Sequence, residues 1–180
     1  MSEAAVEAAA PTPLEATLLD GRRVGIRPAS AADEPAITAF FASLSRQSLY
    51  WRFFSVPRRL NRRLVERLLA SGPGRGALLA VPAGQLGPVV AFAFATYAQV
   101  AAEGSCEISI AVADAWQNVR LGTLLALALV RDALAHGQRR FHAEVLGGNV
   151  RMLGLLGEIA GSVRTRYEAG VARVEFEVAA

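Results

Sequence analysis

The sequence predicts an α/β (α+β) domain built on a mixed, mostly antiparallel sheet with one parallel strand pair at its centre. Three observations carry this reading. Stretches of period-two alternation and stretches of helical spacing succeed one another along the chain. Two strand pairs meet at tight turn signals, Asp20-Gly21 and Ala169-Gly170, and are therefore hairpins. Between residues 107 and 146 a strand, a long apolar helix and a second strand follow in succession. Such a βαβ unit makes its two strands parallel, with a right-handed crossover.

Taken in order, residues 16–19 and 23–27 form the first hairpin. Ser30 is a helix N-cap with Asp33 three residues on, and Ile37, Phe40, Phe41 and Leu44 form one apolar helical stripe after it. A short aromatic segment, 49–54, is closed by Pro57, and Asn61 caps another helix with Leu60 and Val65 spaced as a hydrophobic staple. Strands follow at 77–81 and 88–100, turned through 82–87, and at 105–112, where Ile108, Ile110 and Val112 share one face and Glu107, Ser109 and Ala111 the other. A helix spans 119–136 and stops at Gly137, and a strand follows at 140–146. Asn149 caps a last helix with Met152, Leu155, Leu156 and Ile159 on one face, and strands 163–167 and 171–178 close the chain. The order is ββααβββαβαββ, with helices on both faces of the sheet.

Composition bounds the function. The chain has 180 residues, of which 53% are hydrophobic and 19% charged. That suits one globular domain and excludes global disorder. Residues 1–14 read as an Ala-rich disordered tail and 15–180 as the domain. The tail has two Glu and no basic residue, so it is not a signal peptide. No apolar run approaches the roughly 20 residues of a membrane span, and the expected compartment is the cytoplasm. With one cysteine, Cys106, and two histidines, His136 and His142, neither a disulfide framework nor a metal site is expected. Cys106 reads as an inert, half-buried strand residue and His142 as structural.

The 19 basic residues are all Arg. Between Arg46 and Arg75 there are eight Arg against Glu66, a local balance of +7 in a chain of net charge +3. Such a stretch fits a phosphate-bearing ligand, an acidic partner or a plain solvated helix face. No nucleic-acid motif accompanies it, so nucleic acid is not an expected partner.

The chemistry concentrates where strand 105–112 feeds the long helix. A helix start offers free backbone N–H groups and the positive end of the dipole, a ready site for an anion such as pyrophosphate. The loop there is Gln117-Asn118-Val119-Arg120-Leu121-Gly122-Thr123. It resembles the Gln/Arg-x-x-Gly-x-Gly/Ala signature of the GNAT superfamily of acyl-CoA-dependent N-acyltransferases, with Arg120 in place of the middle Gly. The strand and entry loop from Glu107 to Gln117, the segment from Asn149 to Leu156 and the element order from Ala16 to Val178 are similar to the same family. Residues 44–54, Leu-Ser-Arg-Gln-Ser-Leu-Tyr-Trp-Arg-Phe-Phe, resemble a segment of bacterial protein-lysine acetyltransferase (Pat-like) GNAT domains.

The resemblance implies that acetyl-CoA lies in a splay between strands 107–112 and 140–146. Its pantetheine would pair with backbone groups of Ile110 and Val112, and its pyrophosphate with N–H groups of residues 117–123. Asn149 would be a further cofactor contact. The acceptor would be a primary amine of a small molecule or a protein lysine, entering beside the N-terminal helices. An amine of pKa about 10.4 needs a base at neutral pH, and the resemblance assigns that role to Glu107. A backbone N–H near Val112 would face the developing oxyanion. The family's Tyr, a general acid, corresponds here to Leu156. Arg120 and Leu156 together open a second reading: a weak or inactive GNAT-fold module that binds CoA or a partner protein as a regulator. An edge strand in the C-terminal hairpin makes room for a homodimer.

Overall fold

The computed structural model describes residues 14–57, 62–69, 75–84, 87–96 and 105–178. Among these residues eight strands form one sheet: β1 (Leu14–Thr17), β2 (Arg23–Pro28), β3 (Arg75–Pro82), β4 (Ala91–Thr96), β5 (Cys106–Val112), β6 (Arg140–Leu146), β7 (Arg164–Glu168) and β8 (Val171–Glu177). Their order across the sheet is β1-β2-β3-β4-β5-β6-β8-β7. The pair β5–β6 is parallel and the other neighbours are antiparallel. Among the described residues five α-helices accompany it: α1 (Glu34–Ser43), α2 (Arg46–Phe53), α3 (Arg62–Leu69), α4 (Leu121–Ala135) and α5 (Val150–Ala160). None of these is long and apolar enough to cross a membrane.

The two faces of the sheet carry two cores. On one, Leu121, Leu125, Leu129 and Ala133 of α4 and Leu156 of α5 pack on Ile108 and Ile110 of β5, Phe141 and Val145 of β6, and Val174 of β8. On the other, Ile37, Phe40, Phe41 and Leu44 pack with Val65 and Leu68 of α3 against Leu79 and Phe92. The stripe of α1 is thus buried as its spacing predicts. The outward face of α3 carries exposed Arg62, Arg63, Glu66 and Arg67, with Arg62 paired to Glu66, so here the basic stretch is a solvated helix face.

The central feature is the parting of β5 from β6. Their register is confined to Cys106↔Phe141 and Glu107↔His142. Beyond that point β5 stays with β4 as far as Ala91↔Val112, and β6 stays with β8 as far as Leu146↔Val171. The N–H of Ala113 bonds to the carbonyl of Val90 at 2.8 Å, opposite it in the β4–β5 ladder. Alternation along that ladder turns the backbone groups of Ala111, Ser109 and Glu107 toward β4 and those of Ile108, Ile110 and Val112 toward the gap.

Several expectations change. Residues 46–53 form a full helix, α2, so three helices precede β3 where the sequence reading has two. Its N-cap is Ser45, whose hydroxyl accepts from the Ser48 N–H at 3.2 Å, and it ends at Phe54 in the left-handed region. No residue of α2 is fully buried, so it carries no apolar stripe to read. The long helix begins at Leu121 rather than Val119, because Asn118 and Arg120 both take positive φ. Leu14, assigned to the tail, opens β1 and pairs with Ile26. Cys106 is fully buried rather than half-buried, and burial pushes its thiol up to about 12. The rest of the tail, the Asn61 cap with its Leu60 staple, and the ends of the predicted strand at 97–100 lie outside the described residues.

The capping box before α1 is also an ion-pair site. Asp33 accepts two bonds from the Arg27 guanidinium, at 2.6 and 2.9 Å, and one from the Ser30 N–H at 2.8 Å. The Arg27 bonds lower its pKa to about 2 against the opposing effect of burial. A lowered carboxylate stabilises the fold above its unfolded pKa of about 3.9 and loses that contribution as pH falls through the folded value. Asp33→Asn is expected to destabilise the protein at neutral pH by about 1.5–3 kcal/mol, the range for charged hydrogen bonds. In urea titrations the gap between wild type and variant should close between pH 4 and pH 2; a gap independent of pH would show that the Asp33 charge is not what holds this corner.

Candidate functional site

A cavity of about 440 Å³ runs along the gap between β5 and β6. Residues from both faces of β5 line it, Ile108 and Ile110 from one and Glu107, Ser109 and Ala111 from the other, so it passes through the sheet where the strands part. The helix α2 lies along β5. Near its start, the hydroxyl of Ser48 donates to Asp114 and accepts from Gln117, beyond the C-terminal end of β5. One turn on, the charge of Glu107 is felt at Arg52, near the start of the strand.

The loop after β5 is fixed by side chains. Asp114 accepts from the Ser45 N–H, the Ser45 hydroxyl and the Ser48 hydroxyl at 2.9, 2.6 and 2.8 Å. Burial raises its pKa, but these bonds outweigh that and hold it below the ordinary carboxylate value. Gln117 Nε2 donates to the carbonyl of Val112 at 3.0 Å, and its Oε1 accepts from Arg151 at 2.9 Å. A side chain therefore satisfies the last carbonyl of β5 that faces the gap. Gly122 allows close packing: a Cβ there would lie 3.0 Å from Leu155 Cδ1 and 3.5 Å from Val112 Cγ2.

The residues singled out by sequence mostly converge. Glu107, Ile110, Val112, Gln117, Asn118, Arg120, Gly122, Thr123 and Asn149 all line the cavity. Leu121 is fully buried in the core, and Val119 packs against that core and takes a weak bond from the Leu19 N–H to its carbonyl at 3.4 Å. Both can offer only backbone. The N–H of Gln117 is already donated to the carbonyl of Asp114, at 3.3 Å, so the free N–H groups expected of a helix start belong to the first turn of α4. The side chain of Asn149 caps α5 through the Met152 N–H at 3.2 Å, as its position predicts. Arg120 points its guanidinium at Glu158 of α5 in an ion pair, and Thr123 reaches the same carboxylate at 3.5 Å. The family's Tyr position, Leu156, is 1% exposed and apolar.

Sequence reasoning missed several cavity residues. Arg52 comes from α2. Arg151 and Glu158 line the cavity from α5, flanking Leu155, which the sequence already places on the apolar face of that helix. Ser109 was placed on the Glu107 face, and alternation along β6 puts Glu144 in a comparable position.

These features define a class: a strand that parts from its parallel neighbour, backbone groups facing the gap, and a helix start at its end. No family model matches the chain. The chain is similar to the GNAT domain of S. lividans PAT at 26% identity over 92% of this chain and 97% of that one, with a TM-score of 0.82. It is 25% identical to an acetyltransferase of Pseudomonas aeruginosa over 71% of this chain and 68% of the relative. The fold also matches yncA from Salmonella typhimurium, solved with its cofactor acetyl-CoA, at 17% identity over 86% of this chain and 93% of that one, with a TM-score of 0.64. The fold is that of the GNAT acetyltransferases, and the neighbour and the relative that the chain resembles are acetyltransferases of that type.

Arg120 sits at φ 68°, a conformation that suits Gly and strains other residues by about 1–2 kcal/mol. Its pair with Glu158 is exposed, at 56% and 44%, and worth about 0–1 kcal/mol. Arg120→Gly is therefore expected to leave the melting temperature unchanged or raise it by about 2–4 °C, the scale for 1 kcal/mol in a chain of this size. A fall of similar size by calorimetry would show that the arginine side chain holds the loop.

Proposed function

We propose that the protein transfers an acetyl group from acetyl-CoA to a primary amine, with Glu107 as the base. The observation that carries this reading is the cavity in the β5–β6 gap, which brings Glu107, the gap-facing backbone of Ile110 and Val112, and the first turn of α4 into one space. An extended chain laid beside β5 would find the N–H and carbonyl groups that β6 leaves. An anionic head would meet the N–H groups and dipole at the start of α4. Arg120, Thr123 and Asn149 border that end, and Arg120 becomes a phosphate ligand if it leaves Glu158.

The chemistry needs little more. Glu107 takes a proton from the ammonium, directly or through water, and the neutral nitrogen attacks the thioester carbonyl. A C–N bond forms, the C–S bond breaks and the thiolate leaves; the second proton that the attacking nitrogen sheds passes to the thiolate sulfur, directly or through water, to give the amide and CoA. A thiol of pKa about 8.5 is a fair leaving group without an acid beside it, which suits a site where Leu156 stands in place of Tyr. Backbone N–H near Val112 faces the developing negative charge on oxygen. The resemblance of residues 44–54 to Pat-like domains brings protein lysine into the set of acceptors.

Titration of the protein with acetyl-CoA, and with CoA as a control, should give a dissociation constant in the micromolar range. No binding up to about 1 mM, near −4 kcal/mol, would overturn the donor assignment and favour a partner-binding module. Glu107→Gln should lower kcat/KM by about 10²–10⁴, the range for a lost general base, with acetyl-CoA affinity unchanged. Unchanged turnover in that variant removes Glu107 from the mechanism.

A further inference from the structure

We propose that the acceptor amine is a small amino-carboxylate, an amino acid or a close analogue, whose carboxylate is held by Arg52 while its amine meets Glu107. The proposal rests on the acetyl-transfer reading above and names the substrate class of the same site.

The argument begins with the partners of the arginines. Among the described residues, five arginines are half-buried: Arg22, Arg27, Arg52, Arg75 and Arg173. Arg22 pairs with Asp20, Arg27 with Asp33, and Arg173 with Glu175. Arg75 donates to the carbonyl of Arg67. Arg52 alone has no ion pair or hydrogen bond there; its guanidinium stands over the Phe53 ring at 5.0 Å and lines the cavity. Burial lowers its pKa to about 10, with the Glu107 charge acting the other way, so it is still cationic at pH 7. A half-buried cation that faces a cavity without an ion-pair partner calls for an anion.

Two neighbours refine the match. Glu107 lines the same cavity and makes no ion pair with Arg52, so the two charges stand apart rather than closing on each other. The Ser109 hydroxyl, two residues along the same face of β5, is buried and lacks a protein partner. Of the other two carboxylates lining the cavity, Glu144 lies 4.0 Å from Arg173 and Glu158 is paired with Arg120. An opposed cation and anion, held apart beside an unpartnered hydroxyl, complement a zwitterion. A lysine side chain on a protein offers an amine for Glu107 and nothing charged for Arg52. The bond changes are those given above; the products are the N-acetylated amino acid and CoA, and no other reactant is required.

The test compares three acceptor sets at saturating acetyl-CoA: free amino acids, their carboxamides, and short peptides with an internal lysine and blocked termini. At least one amino acid should exceed its own carboxamide tenfold or more in kcat/KM. Arg52→Gln should lower that amino acid at least tenfold, chiefly through KM, and leave the carboxamide within threefold. Equal use of acids and amides, preference for lysine peptides, or equal loss for acid and amide in Arg52→Gln would each overturn the proposal. If Arg52→Gln does not fold, Arg52→Lys keeps the charge and should retain the acid-over-amide preference; loss of preference there counts against a charge role. Saturation-transfer NMR on wild type with CoA bound reads acceptor binding without turnover, and should show the acid and not the amide. In that sample, CoA binding without acid binding sinks this proposal alone, whereas failure of wild type to bind acetyl-CoA sinks the acetyl-transfer reading with it.

Discussion

The structure depends on a strand that satisfies its backbone on one side only. Buried N–H and C=O groups are almost always paired, and β5 meets that requirement toward β4 along its whole length. Toward β6 it does so only at its first two residues. The protein supplies one further partner, the Gln117 amide on the Val112 carbonyl. The gap is kept open rather than collapsed because each strand is tied elsewhere: β5 to β4, β6 to β8, and the α4 and α5 side chains fill one face beneath it. A site that needs backbone from an extended ligand is the natural use of such a strand.

The same parting sets the two ends of the site. Where β5 ends, the chain must turn sharply into α4, and it does so through two left-handed residues, Asn118 and Arg120. Asn tolerates that conformation through local hydrogen bonding; Arg does not, and its strain is set against the pair it makes with Glu158. The loop is then fastened to α2 through Ser45, Ser48 and Asp114. One helix therefore touches both ends: its N-terminal turn grips the loop after β5, and its next turn brings Arg52 within electrostatic reach of Glu107.

Much of this was legible in the residues. Periodicity located β5, α4, β6 and α5, since each carries a strong apolar pattern buried on one face. Turn chemistry located both hairpins, and the Ser30–Asp33 spacing announced the capping box. The helix α2 was not legible for a physical reason. It lies on the rim of the site with no residue fully buried, so its sequence has no stripe, and its aromatics were read as an unassigned segment. The residues that α2 brings to the cavity were hidden for the same reason. The role of Gln117 was half legible. Its position marked the loop, but only the geometry shows that its side chain serves Val112 while its own N–H is already used by Asp114.

The departures from the family pattern bear unequally on activity. Leu156 is buried at 1% exposure and also lines the cavity, so the wall there is apolar where the family pattern has a Tyr hydroxyl, and a thiol of pKa about 8.5 is a fair leaving group without an acid beside it. Arg120 is different in kind. Its backbone takes the left-handed conformation that a glycine would take, so the shape of the loop is preserved, and its side chain is turned aside onto Glu158. The replacement therefore does not fill the start of α4. It adds a cation whose counter-charge is exposed and exchangeable, beside the helix start where an anion would bind. On that ground the altered motif favours the reading as a working transferase over the reading as a closed or vestigial module.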